Sequence, residues 1–450
     1  MAVFGSSGTR GVVNDAITPA FVEELAAVAG TMWGADRVAI GRDTRQSGSM
    51  FANAASSGFA SAGVNVERVG VLPTPALQRY SAVEAIPGCM ITASHNPPKY
   101  TGVKLFGRDG IELCGEALVA LEEAYQAVRR TRARWDAIGQ ERRVDDVGRA
   151  YVDDIIAQVD HESIQEAGMT VAFDPGHGAG IETTGRLLRE LGCRVIGIND
   201  TPDGTFPGRD PEPTPDALGR LSTLVASTDA AIGFAHDGDA DRVMVVASDG
   251  TVIPGESVLA LLADAVVRPD DMVVCAVDIS ERVERAVEGA GGRLVRTPIG
   301  SSNLVEKILE LWEAGESVPL AGEGNGGIFL PDYRLARDGA YVAARLLELA
   351  IHEPLDERAA AHTGYTLVRR EIPYGSPEER ARYLGAIEEI ANGVDASVDR
   401  TDGVRVAVDD GWALARPSGT EPLIRIVAEA RDPERASALA DRIERAVETR

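Results

Sequence analysis

Apolar residues along this chain gather into short uninterrupted runs, and between the runs lie longer segments with helical character. The runs Arg37–Gly41, Thr170–Phe173, Ala230–Phe234, Val243–Val246 and Met272–Val277 predict buried strands. Thr18-Pro19 predicts a helix start, because Thr caps and Pro suits the first helical position; that helix runs to about Trp33. Three of the runs each lead into a polar loop and then a helix: 37–41 into Arg42–Ser47, 170–173 into DPGHGAG (174–180), and 272–277 into DIS (278–280). This weak internal repeat predicts three related α/β domains.

The last segment reads differently. Strand patterns at 366–372, 404–408, 412–415 and 423–429, with helices at 377–391 and 433–447, predict a smaller α+β domain. The expected division is 1–148, 149–250, 251–360 and 361–450. Four domains in 450 residues is an ordinary density at roughly 100–200 residues each.

Composition narrows the partners. A formal charge of −25 argues against nucleic acid and anionic membranes. Only Lys99, Lys104 and Lys307 are lysines, and an acidic, lysine-poor surface suits concentrated salt, where screening suppresses self-repulsion. Cys89, Cys114, Cys193 and Cys275 form no CxxC pair and read as reduced core residues of a cytosolic protein. MAVFGSSGTRG lacks the features of a signal peptide, and the most apolar stretch, near Val258–Val267, contains Asp264 and is too short to span a bilayer.

Four motifs carry chemistry. In TASHNPPKYTGVKLF (92–106), Ser94 follows an apolar strand, where open α/β sheets bind ligands, and Pro97-Pro98 stiffens the loop. Lys104 returns toward that loop on the next strand. In AHDGDADRV (235–243), Asp237, Asp239 and Asp241 alternate, so an extended segment would aim all three carboxylates one way and call for a cation. A calcium EF-hand is excluded, since its sixth position would be Arg242 and its twelfth Ser248. GEGNGG (322–327) lets the backbone approach a ligand, with Glu323 and Asn325 suited to sugar hydroxyls. RPSGTEPLIRI (416–426) supplies arginines, hydroxyls and a glycine between two strands, a phosphate cradle. His177 and His236 read as structural, as does the Pro-rich GTFPGRDPEP (204–213).

These motifs in this order, with FGSSGTRG (4–11) and DGV (402–404), resemble the α-D-phosphohexomutase family over almost the whole chain. The resemblance implies three α/β domains with mixed sheets and a fourth, different domain around a central cleft. It implies an isomerase that carries a phosphoryl group on Ser94. Asp237, Asp239 and Asp241 would be Mg²⁺ ligands, with the phosphate of Ser94 as a further one. It implies Lys104 and Arg10 as active-site bases and Arg242 beside the transferring group. Glu323 and Asn325 would bind the sugar, and Arg416, Ser418, Gly419, Thr420 and Arg425 its phosphate. A hexose 1,6-bisphosphate would act as activator and a small sugar phosphate as the only ligand partner, on a monomer or homodimer.

Two positions depart from the pattern. Gly327 stands where some members carry a His, leaving acid/base duty to Lys104, Arg10 or His95, and TPIGSSN (297–303) differs from the usual third-domain loop. The serine and sugar loops look most like archaeal members acting on glucosamine phosphate. A phosphomannomutase or phosphoglucomutase is the alternative enzyme. An Mg²⁺-dependent phosphatase and a non-catalytic sugar-phosphate sensor are the other readings.

Overall fold

The computed structural model describes residues 8–393, 396–418 and 421–448. The first sheet contains β1 (Thr9–Val12), β2 (Arg37–Arg42), β3 (Asn65–Val71), β4 (Gly88–Ile91), β5 (Tyr100–Phe106) and β6 (Glu141–Arg143), in the order β1-β5-β4-β2-β3-β6. Helices α1 (Pro19–Trp33), α2 (Gly48–Ser61), α3 (Thr74–Glu84) and α4 (Gly115–Gln126) cover it. Helix α1 starts as its sequence requires, with the Thr18 hydroxyl accepting from the Phe21 amide and Pro19 opening the first turn.

Helices α5 (Val147–Ile156) and α6 (His161–Ala167) lead into the second sheet. It holds β7 (Thr170–Asp174), β8 (Arg194–Gly197), β9 (Ile232–His236), β10 (Val243–Ala247) and β11 (Val252–Ile253), ordered β11-β10-β9-β7-β8, with α7 (Ile181–Glu190) and α8 (Gly219–Ala226). The third follows α9 (Gly255–Val266). It holds β12 (Met272–Ala276), β13 (Arg293–Thr297), β14 (Leu320–Gly322), β15 (Ile328–Leu330) and β16 (Arg334–Arg337), ordered β13-β12-β14-β15-β16. Helices α10 (Glu281–Gly289), α11 (Ser301–Glu313), α12 (Gly339–His352) and α13 (Leu355–Ala360) complete it.

The repeat seen in the sequence is one of topology. In each of the three sheets a central strand (β2, β7, β12) pairs in parallel with the next strand on one side (β3, β8, β13) and with a third on the other (β4, β9, β14). The third then pairs antiparallel with a fourth (β5, β10, β15). The loop between third and fourth strands therefore leaves the carboxyl end of the parallel strands in every copy, the edge where α/β sheets bind ligands. In the three copies that loop is 92–99, 237–242 and 323–327. Three of the four motifs are one structural position repeated.

The fourth sheet is antiparallel: β17 (Thr366–Pro373), β18 (Ser397–Asp399), β19 (Val404–Val408), β20 (Gly411–Pro417) and β21 (Leu423–Ala430), ordered β17-β21-β20-β19-β18. Helices α14 (Pro377–Asn392) and α15 (Pro433–Glu448) back it. Its core, including Ile372, Ile387, Ile424, Ile426 and Ile443, is its own. One continuous core instead runs through the first three sheets, from Ala39 and Met90 through Phe173 and Phe234 to Val273 and Leu346. The fourth unit reaches them through a small apolar contact in which Val277 meets Trp412, Leu414 and Val427. At about 1.5–3 kcal/mol per large buried side chain, that joint is weak beside the shared core.

Candidate active site

The serine loop begins where β4 ends. Ser94 is fully buried and has φ +50°, a left-handed conformation that L-residues other than Asn and Asp seldom adopt. The conformation is held from several sides. The Ser94 amide donates to Thr92 Oγ1 (2.8 Å), whose own hydroxyl donates to Asp43 Oδ2 (2.7 Å). Arg45, buried beside Asp43, donates to the Ser94, Asn96, Pro97 and Tyr100 carbonyls at 2.6–3.1 Å. A strained residue fixed this firmly marks a position selected for its geometry.

The Ser94 hydroxyl points across the domain boundary and donates to Asp237 Oδ2 at 2.6 Å. Gly238 allows the approach, since a Cβ there would lie 2.6 Å from the Ser94 carbonyl oxygen. His95 Nδ1 is 3.4 Å from Ser94 Oγ. Burial, with Arg242 and Arg10 close by, holds His95 neutral, far below its ordinary pKa. Arg10 reaches the same loop through Asn96 Oδ1 (3.2 Å), and burial lowers its pKa.

Asp237, Asp239 and Asp241 each turn a carboxylate oxygen into one spot, all within 4.8 Å of one another. They do so from a tight turn, with Ala240 at φ +56°, and not from the extended segment that their alternation predicts. Convergence in a turn brings the three together more closely than strand geometry would. Burial and the neighbouring Asp241 and Asp239 charges push Asp237 well above the usual carboxylate range. For Asp239, burial is outweighed by the charge and hydrogen bond of Lys104, and its pKa falls; for Asp241, burial is outweighed chiefly by Arg337.

Lys104 Nζ bonds Asp239 Oδ2 and Asp241 Oδ2, both at 2.8 Å, and Arg337 Nη2 bonds Asp241 Oδ2 at 2.6 Å. Thr74 Oγ1 donates to Asp239 Oδ2 at 2.5 Å. These donors all take Oδ2 atoms. Among the described residues, Asp239 Oδ1 and Asp241 Oδ1 are buried with no hydrogen-bond partner, and Arg242 Nε, 3.9 Å from Asp241 Oδ1, is too far for one. Buried carboxylate oxygens left bare beside a third carboxylate fit a hard, oxygen-seeking divalent cation. Burial alone would lower the pKa of Lys104, but Asp239 and Asp241 more than offset it and the ammonium is charged in this pairing.

Residues 1–132, 149–250 and 254–365 match the three alpha/beta/alpha domains described as phosphoglucomutase/phosphomannomutase domains I, II and III, and residues 368–446 match the C-terminal domain. The chain belongs to the phosphoglucomutase/phosphomannomutase family. It is accordingly a phosphohexomutase. A Thermococcus kodakarensis protein named "Phosphoglucomutase/phosphomannomutase" is 37% identical over 448 residues, covering 96% of each chain. A Methanopyrus kandleri protein named "Probable phosphoglucosamine mutase" is 37% identical over 444 residues, covering 97% of this chain and 96% of the other. The crystal structure of a phosphoglucomutase/phosphomannomutase family protein from Burkholderia thailandensis superposes with TM-score 0.87 at 28% identity, covering 100% of this chain and 97% of that one.

Of the remaining predicted residues of this phosphohexomutase, Asn325, Arg416 and Arg425 line one cleft of about 910 Å³ between the second, third and fourth units, together with Glu256, Asp278 and Arg369 among others. Glu323 is buried, 3.6 Å from Arg337 Nη1, so Arg337 bridges the metal-type loop to the sugar-type loop. Asn325 Oδ1 accepts from the Gly327 amide (3.1 Å) and shapes the loop. A Cβ on Gly327 would meet Arg337 Cδ at 2.9 Å, so Arg337 occupies the space a larger residue at 327 would need. Arg242 points to Glu212 (3.4 Å) at the rim.

Arg416 is held by Asp402 (3.1 Å), which also accepts from the Ile299 amide of the TPIGSSN loop (3.1 Å), joining fourth unit to third. Arg425 lies by Glu421 and Glu371 (2.8 and 3.5 Å), and the Ser418 hydroxyl accepts from the Glu421 amide. Gly419 and Thr420 lie outside the described residues. Sequence reasoning missed Asp43, Arg45, Thr74 and Arg337 as parts of the site. The one available signal was Asp43-Thr-Arg45 in a loop that follows the first strand of a repeat, matched by Asp174 in the second copy and Asp278 in the third. His177 and His236 are structural, through the Thr201 carbonyl and through Thr184 and the Arg242 carbonyl.

Proposed function

We propose that this enzyme interconverts glucosamine 6-phosphate and glucosamine 1-phosphate through a phosphorylated Ser94 and a bisphosphorylated sugar. The observation that carries the phosphoserine is the strained, buried Ser94 with its hydroxyl on Asp237, where the serine loop meets the carboxylate turn. The sugar rests on the likeness of the serine and sugar loops to archaeal members, together with relatives such as the Methanopyrus kandleri protein. A phosphomannomutase or phosphoglucomutase activity is the second reading, favoured by the name of the Thermococcus kodakarensis relative. The domain division 1–148, 149–250, 251–360 and 361–450 belongs to the same proposal.

In the first half-reaction a sugar hydroxyl oxygen forms a bond to phosphorus as the bond from phosphorus to Ser94 Oγ breaks. The hydroxyl proton passes to one of the groups gathered at the serine loop and the carboxylate turn, His95, Arg10 or Lys104. In the second half the other phosphate of the sugar returns to Ser94 Oγ, and the proton returns to the oxygen it leaves. Asp237, Asp239 and Asp241 would hold Mg²⁺, which when bound would neutralise charge on the transferring group. Arg10 and Arg242 add positive charge on the same side, and Arg337 and Lys104 fix the carboxylates. Glu323 and Asn325 take the sugar, and Arg416, Ser418, Gly419, Thr420 and Arg425 the phosphate that is not reacting.

The test is intact mass and peptide mapping after incubation with glucose 1,6-bisphosphate, then a substrate panel. One phosphate on the peptide containing Ser94, removed by phosphatase, is expected. Phosphate release without an isomer would instead mean a phosphatase, and a mannose phosphate turned over at least tenfold more efficiently would replace the sugar.

A further inference from the structure

The carboxylates lining the cleft other than Asp278 each have a partner, although Glu429 Oε2 is buried without one. Glu212 faces Arg242 (3.4 Å), Glu256 faces Arg369 (3.7 Å), Glu371 faces Arg425 (3.5 Å), and Glu429 accepts from Trp412 Nε1 (3.0 Å) and the Glu281 amide (2.8 Å). Asp278 lines the same cleft and has no hydrogen bond or ion pair to any described residue. The contrast with its topological counterparts is sharp. At the carboxyl ends of the other two central strands, Asp43, one residue past β2, is paired with Arg45 (3.0 Å), and Asp174, the last residue of β7, with Arg209 (2.9 Å). The third copy keeps the carboxylate and loses the arginine.

Its position is that of a sugar contact. β12, which ends two residues before Asp278, pairs with β14, and Cys275 lies opposite Gly322, next to Glu323. Asp278 thus stands on the same sheet edge as the sugar loop. It is mostly removed from solvent, and burial, with the Glu323 charge, pushes its pKa up to about 6 in spite of Arg369 and Arg416, with Glu256 adding to the rise. A carboxylate kept in such a place without a partner is a site waiting for a cation that arrives with the substrate.

We propose that Asp278 recognises the ammonium group of a 2-amino sugar phosphate and so selects glucosamine phosphate over neutral hexose phosphates. The inference rests on the glucosamine reading above and gives it a residue. Charge chemistry decides the class: a neutral hydroxyl would leave an ionised Asp278 with an uncompensated charge, whereas an ammonium forms a charge-assisted hydrogen bond. Because the sugar must turn over within the cleft, one carboxylate meets the C2 substituent in one orientation only. Its contribution is therefore unequal for the 1-phosphate and the 6-phosphate.

The experiment compares kcat/KM of the full-length enzyme, Asp278→Asn and Asp278→Glu on glucosamine and glucose phosphates in both directions. Asp278→Asn should lower the glucosamine-to-glucose ratio tenfold or more in at least one direction, mainly through KM, and Asp278→Glu should recover part of it. An unchanged ratio in both directions, or equal loss on both sugars, overturns the proposal while leaving the glucosamine reading intact. A wild-type enzyme that prefers a neutral hexose phosphate overturns both. Should the variants fail to fold, calorimetric binding to the wild type decides. Affinity for glucosamine 6-phosphate relative to glucose 6-phosphate, which has the same phosphate, should fall as pH drops below about 6. A flat ratio overturns the proposal.

Discussion

Ser94 Oγ and Asp237 Oδ2 are hydrogen-bonded at 2.6 Å, although the two residues belong to different sheets and are separated by 143 positions in the chain. The contact sets a serine hydroxyl against a carboxylate whose neighbours are already crowded with negative charge. It gives the serine loop and the carboxylate turn a common point from which phosphoryl transfer can be read.

Ser94→Ala should abolish turnover and leave folding close to wild type. The loop is held by backbone bonds to Arg45 and Thr92, and the lost hydroxyl bond is a single contact. Steady-state assay and thermal melting check this; more than a few per cent of residual activity would remove Ser94 as the phosphoryl carrier.

Asp239→Asn should weaken Mg²⁺ binding and turnover together, by roughly tenfold or more each. It removes one of three carboxylates and leaves Lys104 with only Asp241. Calorimetry with Mg²⁺ and rates across a magnesium titration provide the readout. Unchanged magnesium dependence would mean the metal sits elsewhere.

Arg416→Ala should weaken binding of both the 1-phosphate and the 6-phosphate by similar factors, since a charge-assisted contact is worth about 1.5–3 kcal/mol. Phosphate on Ser94 should persist, because Arg416 belongs to the fourth unit and the serine to the first. Loss confined to one substrate would call for separate phosphate sites.

The elements legible beforehand were those whose chemistry is local. Helix α1 announces itself through Thr18-Pro19, and β9, β10 and β12 through apolar runs buried on both faces. β6, exposed along its whole length, and the three-residue β18 carry no such pattern, so they are set by the strands they pair with. The three aspartates were readable from type and spacing. Thr74 and Arg337 were not, because they reach the carboxylates from 165 and 96 positions away, distances over which a lone sequence carries no pairing signal.

Asp278→Asn should make the unliganded enzyme more stable at neutral pH. A folded-state pKa of about 6, above the usual 3.8, means that the folded protein binds more protons than the unfolded chain between those values. Stability is therefore lost as pH rises through that window, and the cost is complete above pH 6 and absent below about 4. Allowing for its partial exposure, removing the charge should yield on the order of 1 kcal/mol, or roughly 2 °C in Tm. Melting curves at pH 4 and pH 8 should show the gain only at the higher pH. Destabilisation at both would mean Asp278 serves the fold.

Each of the three chemical loops hangs between a third and fourth strand of its own sheet, anchored by its own ladder. The tools of the reaction are therefore modular. The third loop can trade one sugar for another without disturbing the serine or the carboxylate turn, as long as Arg337 keeps its place between them and Gly326 keeps its close contact with Val243 at the end of that turn. Substrate range in such an enzyme is free to drift by lineage while the transfer chemistry stays put, and swapping 323–327 together with the residue at 278 between relatives is the natural way to redirect it.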